Sequence, residues 1–237
     1  MKQLLFLLLS FVTLSALAQP TTIKNGKIEM TIEMPSNPMM SEMSMIYLLK
    51  GDLAKMEFGA PGVFEMASYQ DNAKKAVTVT MNMMGMKKGF NATIDELTAD
   101  TKKTDSSDKP KVKYFDDVKE IAGYKCKKAI VTSKNPQTGD PMDATIWYCP
   151  DLIMPKINTG GGMGGNPLGN LSESITGFPM EMSMDLGQQG TMTMKTTKVD
   201  LKAEIKDDEF KVPSDYELKT YKEFKKEMGS MMGGGGD

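Results

Sequence analysis

Lys27-Ile28-Glu29-Met30-Thr31-Ile32-Glu33-Met34 alternates without a fault: the even positions are apolar and the odd ones polar. A period of two sends successive side chains to opposite faces of an extended chain, so this octapeptide reads as a strand with one buried and one wet face. Pro35 to Pro38 ends it. Downstream, Met43, Met45, Tyr47 and Leu49 alternate with Ser44, Ile46 and Leu48, and Gly51-Asp52 supplies a turn. Ala54, Met56 and Phe58 then oppose Lys55 and Glu57. Val63 to Gln70 and Ala76 to Met81 add two strands around Asp71-Asn72, with β-branched Thr78 and Val79 in the second. The pattern predicts an antiparallel meander.

Strand signal lapses through the polar stretch 100–110, which reads as an exposed loop. It resumes at Val112, runs to Gly123-Tyr124-Lys125-Cys126, turns at Asn135 to Asp140 and returns as Ala144 to Cys149. Gly160 to Gly169 is irregular by composition. Two closing strands are predicted from Phe178 to Leu186 and from Gly190 to Ile205, joined through Gly187-Gln188-Gln189-Gly190. Tyr221, Phe224 and Met228 recur at helical spacing, and Met/Gly-rich residues 229–237 read as a disordered tail. The fold class expected is mainly β: residues 19–228 form one domain built on an antiparallel sheet with a few short helices.

The N-terminus carries a different message. Met1-Lys2 precedes the apolar run Leu4 to Val12, and Ala16-Leu17-Ala18 has the small-x-small form that a signal peptidase cuts. Residues 1–18 are therefore expected to be a signal peptide cleaved after Ala18, placing the mature chain in the periplasm or outside the cell. The run is shorter than the roughly 20 residues that a membrane span needs. No transmembrane segment is expected in the mature chain.

Composition narrows the function classes. The 29 basic and 31 acidic residues nearly cancel, which disfavours a nucleic-acid binder. There is no His, and every basic residue is Lys. The usual general acid/base, the His-based nucleophile pairs, the His-based zinc site and the bidentate Arg clamp are all missing, so no enzyme and no cofactor is expected.

The two cysteines can be placed by arithmetic. A hairpin centred between Gln137 and Thr138 opposes residues whose numbers sum to 275, and Cys126 and Cys149 satisfy that sum. In an oxidising compartment they are expected to form a disulfide, which stabilises by roughly 3 kcal/mol in the chain-entropy model.

Twenty-four methionines in 237 residues, many spaced by two, point to thioether-rich strand faces. Three uses compete. Met fills irregular cores, its flexibility suits a groove for a lipophilic ligand, and soft thioethers select Cu(I). For a ligand-binding face the candidates are Met30, Met43, Met45, Met56, Trp147, Met182, Met184, Met192 and Met194, with no metal ligand assigned.

Four segments carry a family resemblance: Tyr47-Leu48-Leu49-Lys50-Gly51-Asp52 with Met56-Glu57; Ile121 to Lys128; Trp147-Tyr148; and Phe210-Lys211-Val212-Pro213-Ser214-Asp215-Tyr216. Together they resemble an uncharacterised family of exported bacterial domains in the superfamily of the lipoprotein carrier and receptor LolA and LolB. The resemblance implies a curved antiparallel half-barrel whose apolar concave face is covered by helices or loops and holds acyl chains in the named relatives. It implies no binding residue, since the carrier relies on an Arg and this chain has none. The leading expectation is non-enzymatic binding of a hydrophobic, lipid-like ligand. The alternatives are a Met-rich Cu(I) binder and a structural or interaction protein of the envelope.

Overall fold

The computed structural model describes residues 20–36, 43–103, 110–134, 139–158, 174–187 and 190–233. The signal-peptide segment, the turn at 135–138, the Gly-rich 160–169 and residues 234–237 lie outside them, whereas residues 229–233, expected as the start of a disordered tail, continue the closing helix. Strands in chain order are β1 (Thr21–Thr22), β2 (Asn25–Glu33), β3 (Met43–Lys50), β4 (Leu53–Ala60), β5 (Phe64–Asp71), β6 (Ala76–Met83) and β7 (Met86–Thr93). After helix α1 (Ile94–Lys103) come β8 (Lys111–Ile121), β9 (Tyr124–Lys134), β10 (Pro141–Cys149), β11 (Leu152–Ile153), β12 (Phe178–Asp185) and β13 (Thr191–Asp200). A 3₁₀ turn at Asp207–Phe210, β14 (Glu217–Thr220) and helix α2 (Tyr221–Gly233) close the chain.

Among the described residues twelve strands form one open sheet in the order β14-β7-β6-β5-β4-β3-β2-β13-β12-β10-β9-β8. Every pairing in it is antiparallel except that of β14 with β7. The meander predicted from Lys27 onward is there, and β13 pairs with β2 to join both halves. The alternation that opened the reading is visible directly: Ile28, Met30 and Ile32 are buried while Thr31 and Glu33 are exposed. Two hairpins close through turns in which both residues have positive φ, Met84-Gly85 (51° and 90°) and Ala122-Gly123 (49° and 83°). That twist matches the strands it joins, and it favours Gly at the second position. The edge strand β8 breaks register between Tyr114 and Val118, so that Phe115 to Asp117 bulge out of the ladder. A separate two-stranded parallel pair, β1 with β11, holds the start of the described chain.

The stretch read as a loop from residue 100 differs at its start, because α1 runs to Lys103. Thr93-Ile94-Asp95-Glu96 is a capping box: the Thr93 amide donates to Glu96 Oε2 at 2.8 Å and the Glu96 amide donates to Thr93 Oγ1 at 3.2 Å. Thr220 and Glu223 repeat the device at α2. On α2, Tyr221 and Phe224 both stack on Phe90 with ring centroids 5.0 Å apart, and Glu227 pairs with Lys88 and Lys219.

The opposite face of the sheet is covered by the chain between β13 and β14. Lys50 Nζ donates to the Ile205 carbonyl at 2.9 Å and to Asp207 at 2.5 Å, and Lys87 reaches Asp215 at 2.5 Å. Beneath it Lys55 is buried, paired with Glu57 at 2.7 Å and seated over the Tyr69 ring. Burial, helped by the Glu57 charge, pushes the Tyr69 hydroxyl up to about 12.

Candidate functional site: a methionine face under a strap

The strand registers line up the apolar positions in rows across the sheet. One row is Thr196, Met30, Met45, Phe58, Met66 and Met81, from β13 through β6. A second runs Ile146, Met182, Met194, Ile32 and Met43, and Met184 faces Met192 beside it. Met56 lies in a third, between Tyr47 and Ser68. All eight candidate methionines therefore share one face, each 0–8% exposed. Tyr47, fully enclosed on the same face, has its hydroxyl pKa raised by burial.

Trp147 does not join them. It opposes Lys128 and Glu181, one residue out of phase with buried Ile146, and Lys119 Nζ sits 5.5 Å from its ring. Strand alternation requires this, since Ala144 and Ile146 already claim the buried parity. Conversely Met66 and Met180 are buried on the sheet without having been singled out. Met66 follows from alternation within 63–70, whereas Met180 lies where the β10–β12 register shifts.

Three polar side chains sit on the same face: Ser68, Gln70 and Thr196. The first two hold a strap, residues 154–158, that lies against this face after β11. Ser68 Oγ donates to the Asn158 carbonyl at 2.7 Å, and Gln70 Nε2 donates to the Lys156 carbonyl at 3.0 Å. Gln70 Oε1 accepts from the Asn158 backbone and side-chain amides at 2.9 and 3.0 Å. Met154 and Ile157 pack from the strap onto the core. The methionines of this face are buried, and two shallow hollows lie elsewhere, beside Leu49 and Ile205 and beside Ile23 and Leu201. Polar residues at buried parity in a strand were the signal for this clamp.

The cysteine register is the one expected: Ile146 opposes Ala129, Trp147 opposes Lys128 and Tyr148 opposes Lys127. Cys149 and Cys126 are the next residues along the two strands. Both are buried free thiols in this structure, and Cys126 Sγ donates to the Tyr124 carbonyl at 3.4 Å. Burial, reinforced by neighbouring Cys149, pushes the Cys126 thiol up to about 12 and burial also raises Cys149.

A family model described as "Domain of unknown function (DUF4412)" matches residues 25–216, from the first residue of β2 to the residue before β14. The chain belongs to the DUF4412 family. The resemblance carried by Tyr47–Asp52 and Phe210–Tyr216 is borne out, and both segments lie inside the match. No curated protein matches this DUF4412 chain. Among solved structures it is similar to PNGF-II, at 14% identity and a TM-score of 0.43, covering 85% of this chain but 32% of that one. The DUF4412 chain thus spans about a third of the PNGF-II chain. It is also similar to the Mycobacterium tuberculosis lipoprotein LppX, at 11% identity and a TM-score of 0.34, covering 76% of this chain and 89% of that one.

Proposed function

We propose that this DUF4412 chain is a non-enzymatic protein of the bacterial envelope that binds a hydrophobic, lipid-like ligand between its methionine face and the strap. One observation carries the reading: the thioether face spans strands from β12 to β6, and the strap against it is tied to the sheet by the Ser68 and Gln70 side chains. Methionine repacks around differently shaped apolar guests at little cost in rotamer strain, so such a face can exchange its own cover for a ligand. The Leu4 to Val12 run with Ala16-Leu17-Ala18 supports export. No helix of the described residues is long and apolar enough to cross a membrane.

Native mass spectrometry and solvent extraction of protein purified from the periplasm test the reading, backed by titration with a fluorescent acyl probe. Co-purifying lipid, or saturable probe binding, is the expected result. Protein that arrives empty and ignores the probe would sink it. A second reading, Cu(I) binding, draws on the direct opposition of Met182 to Met194 and of Met184 to Met192. Adjacent strands bring together thioethers that residues on one strand would hold roughly 7 Å apart. Stoichiometric Cu(I) uptake abolished by Met→Leu changes at these four positions would move the assignment there.

Export also gives the cysteines a bond to make. Refolding the reduced chain with glutathione disulfide is expected to yield protein lighter by two hydrogens, with Cys126 joined to Cys149. The folded, reduced protein should oxidise slowly, because a thiol raised by burial is scarcely ionised near neutral pH. Two alkylatable thiols persisting after oxidative refolding would refute the pairing.

A further inference from the structure

Thr196 stands out among the buried polar residues. Its side chain is 1% exposed, it opposes Met30 (1%) on β2, and Met180 (0%) lies one residue beyond the Glu181–Lys195 pair on its other side. Among the described residues its Oγ1 is the buried side-chain nitrogen or oxygen atom with no hydrogen-bond partner. The other buried polar side chains are all engaged: Lys55 with Glu57, Ser68 and Gln70 with the strap, and Thr80 with the Ala67 carbonyl at 3.4 Å. Even the next residue, Thr197, donates to the Glu29 carbonyl at 3.1 Å. Valine has the same shape as threonine and carries no polar atom. A position that served folding alone would be better filled by it, since an unpaired buried hydroxyl is destabilising.

We infer that the Thr196 hydroxyl is the polar anchor of the ligand site and donates to a neutral acceptor, the carbonyl of an acyl ester or amide. The inference rests on the hydrophobic-ligand reading and narrows it. The row of Thr196, Met30, Met45, Phe58 and Met66 offers no cation, and Lys195 and Lys198 on the same strand are exposed. An ionised carboxylate buried there would be left unpaired, whereas an ester or amide carbonyl needs one donor. Acyl chains on either side of that carbonyl would lie along the thioether rows.

The test uses the full mature chain and three pyrene-labelled probes of equal length: a methyl ester, the free acid and the plain hydrocarbon. Wild type should bind the ester about tenfold more tightly than the hydrocarbon, the margin of one buried hydrogen bond. At neutral pH the acid should bind more weakly than the ester. Thr196→Val should erase the ester preference, keep hydrocarbon affinity, and raise the urea midpoint of the ligand-free protein. Thr196→Ser should retain the preference. If Thr196→Val keeps the preference, or lowers the ligand-free midpoint, the hydroxyl is not a ligand anchor. Equal binding of ester and hydrocarbon by wild type overturns the anchor alone. Binding of none of the three overturns the ligand reading with it.

Discussion

Phe90→Ala lowers the stability of the fold by about 3–5 kcal/mol, the range for deleting a fully buried aromatic ring. Phe90 is 1% exposed and stands in the row with Val79, and its ring is the platform on which Tyr221 and Phe224 of α2 rest. Removing it takes away the ring on which Tyr221 and Phe224 rest. Phe224 and Met228 still lie against the core, and the solvent-accessible pairing of Glu227 with Lys88 and Lys219 contributes little. Urea unfolding followed by fluorescence should show the loss, and hydrogen exchange should show amides of α2 opening before those of β3 and β4. A variant whose unfolding midpoint stays within the error of wild type would mean that α2 is held elsewhere.

Gln70→Leu should cost about 2–4 kcal/mol, although the side chains are similar in size. The reason is asymmetric. Leucine satisfies the apolar neighbours of position 70, but the Lys156 carbonyl and the Asn158 amide lose their partners while still lying against the sheet. The structure then has two options: keep the strap down with unpaired groups, or let it lift. Faster exchange of the Asn158 amide, with β4 and β5 protection unchanged, distinguishes lifting from general unfolding. Under the ligand-binding reading the same variant should load and release an acyl probe faster than wild type. An exchange rate at Asn158 equal to that of wild type would show that Gln70 does not hold the strap.

Much of this architecture was legible because a sheet with one strongly apolar face writes its register into the chain. Lys27 to Met34 and Met43 to Leu49 announce which parity faces the methionine core, and the structure uses it, whereas in Ala54 to Phe58 the apolar parity shares that face although Lys55 on the other parity is buried too. The Cys126 hairpin could be registered by arithmetic because its two strands pair without a shift from Lys134 opposite Pro141 to Lys127 opposite Tyr148. Three things were harder to read. The parallel addition of β14 to β7 depends on contacts between distant segments and leaves no local period in four residues. Helix α1 was hidden by its charged surface, although Thr93 to Glu96 is a cap that could have been recognised. Trp147 was grouped with the methionines by type when its parity already placed it on the other face. For the candidate site, the methionines were visible and their cover was not, because the strap is tied by single polar residues whose partners are backbone atoms nearly ninety positions away.

The two ends of the open sheet have a further consequence, for self-association. A twelve-stranded sheet that does not close exposes two rows of free amide and carbonyl groups, which any extended chain could extend into a fibre. Here β8 carries the Phe115 to Asp117 bulge with Asp116, Asp117, Lys119 and Glu120 crowded around it, and β14 is four residues long and leads straight into α2. Among the described residues, a bent, charged border at one end and a stub leading into a helix at the other leave no long flat template for polymerisation. The sheet can therefore stay open at both ends without offering another chain a ready edge to extend.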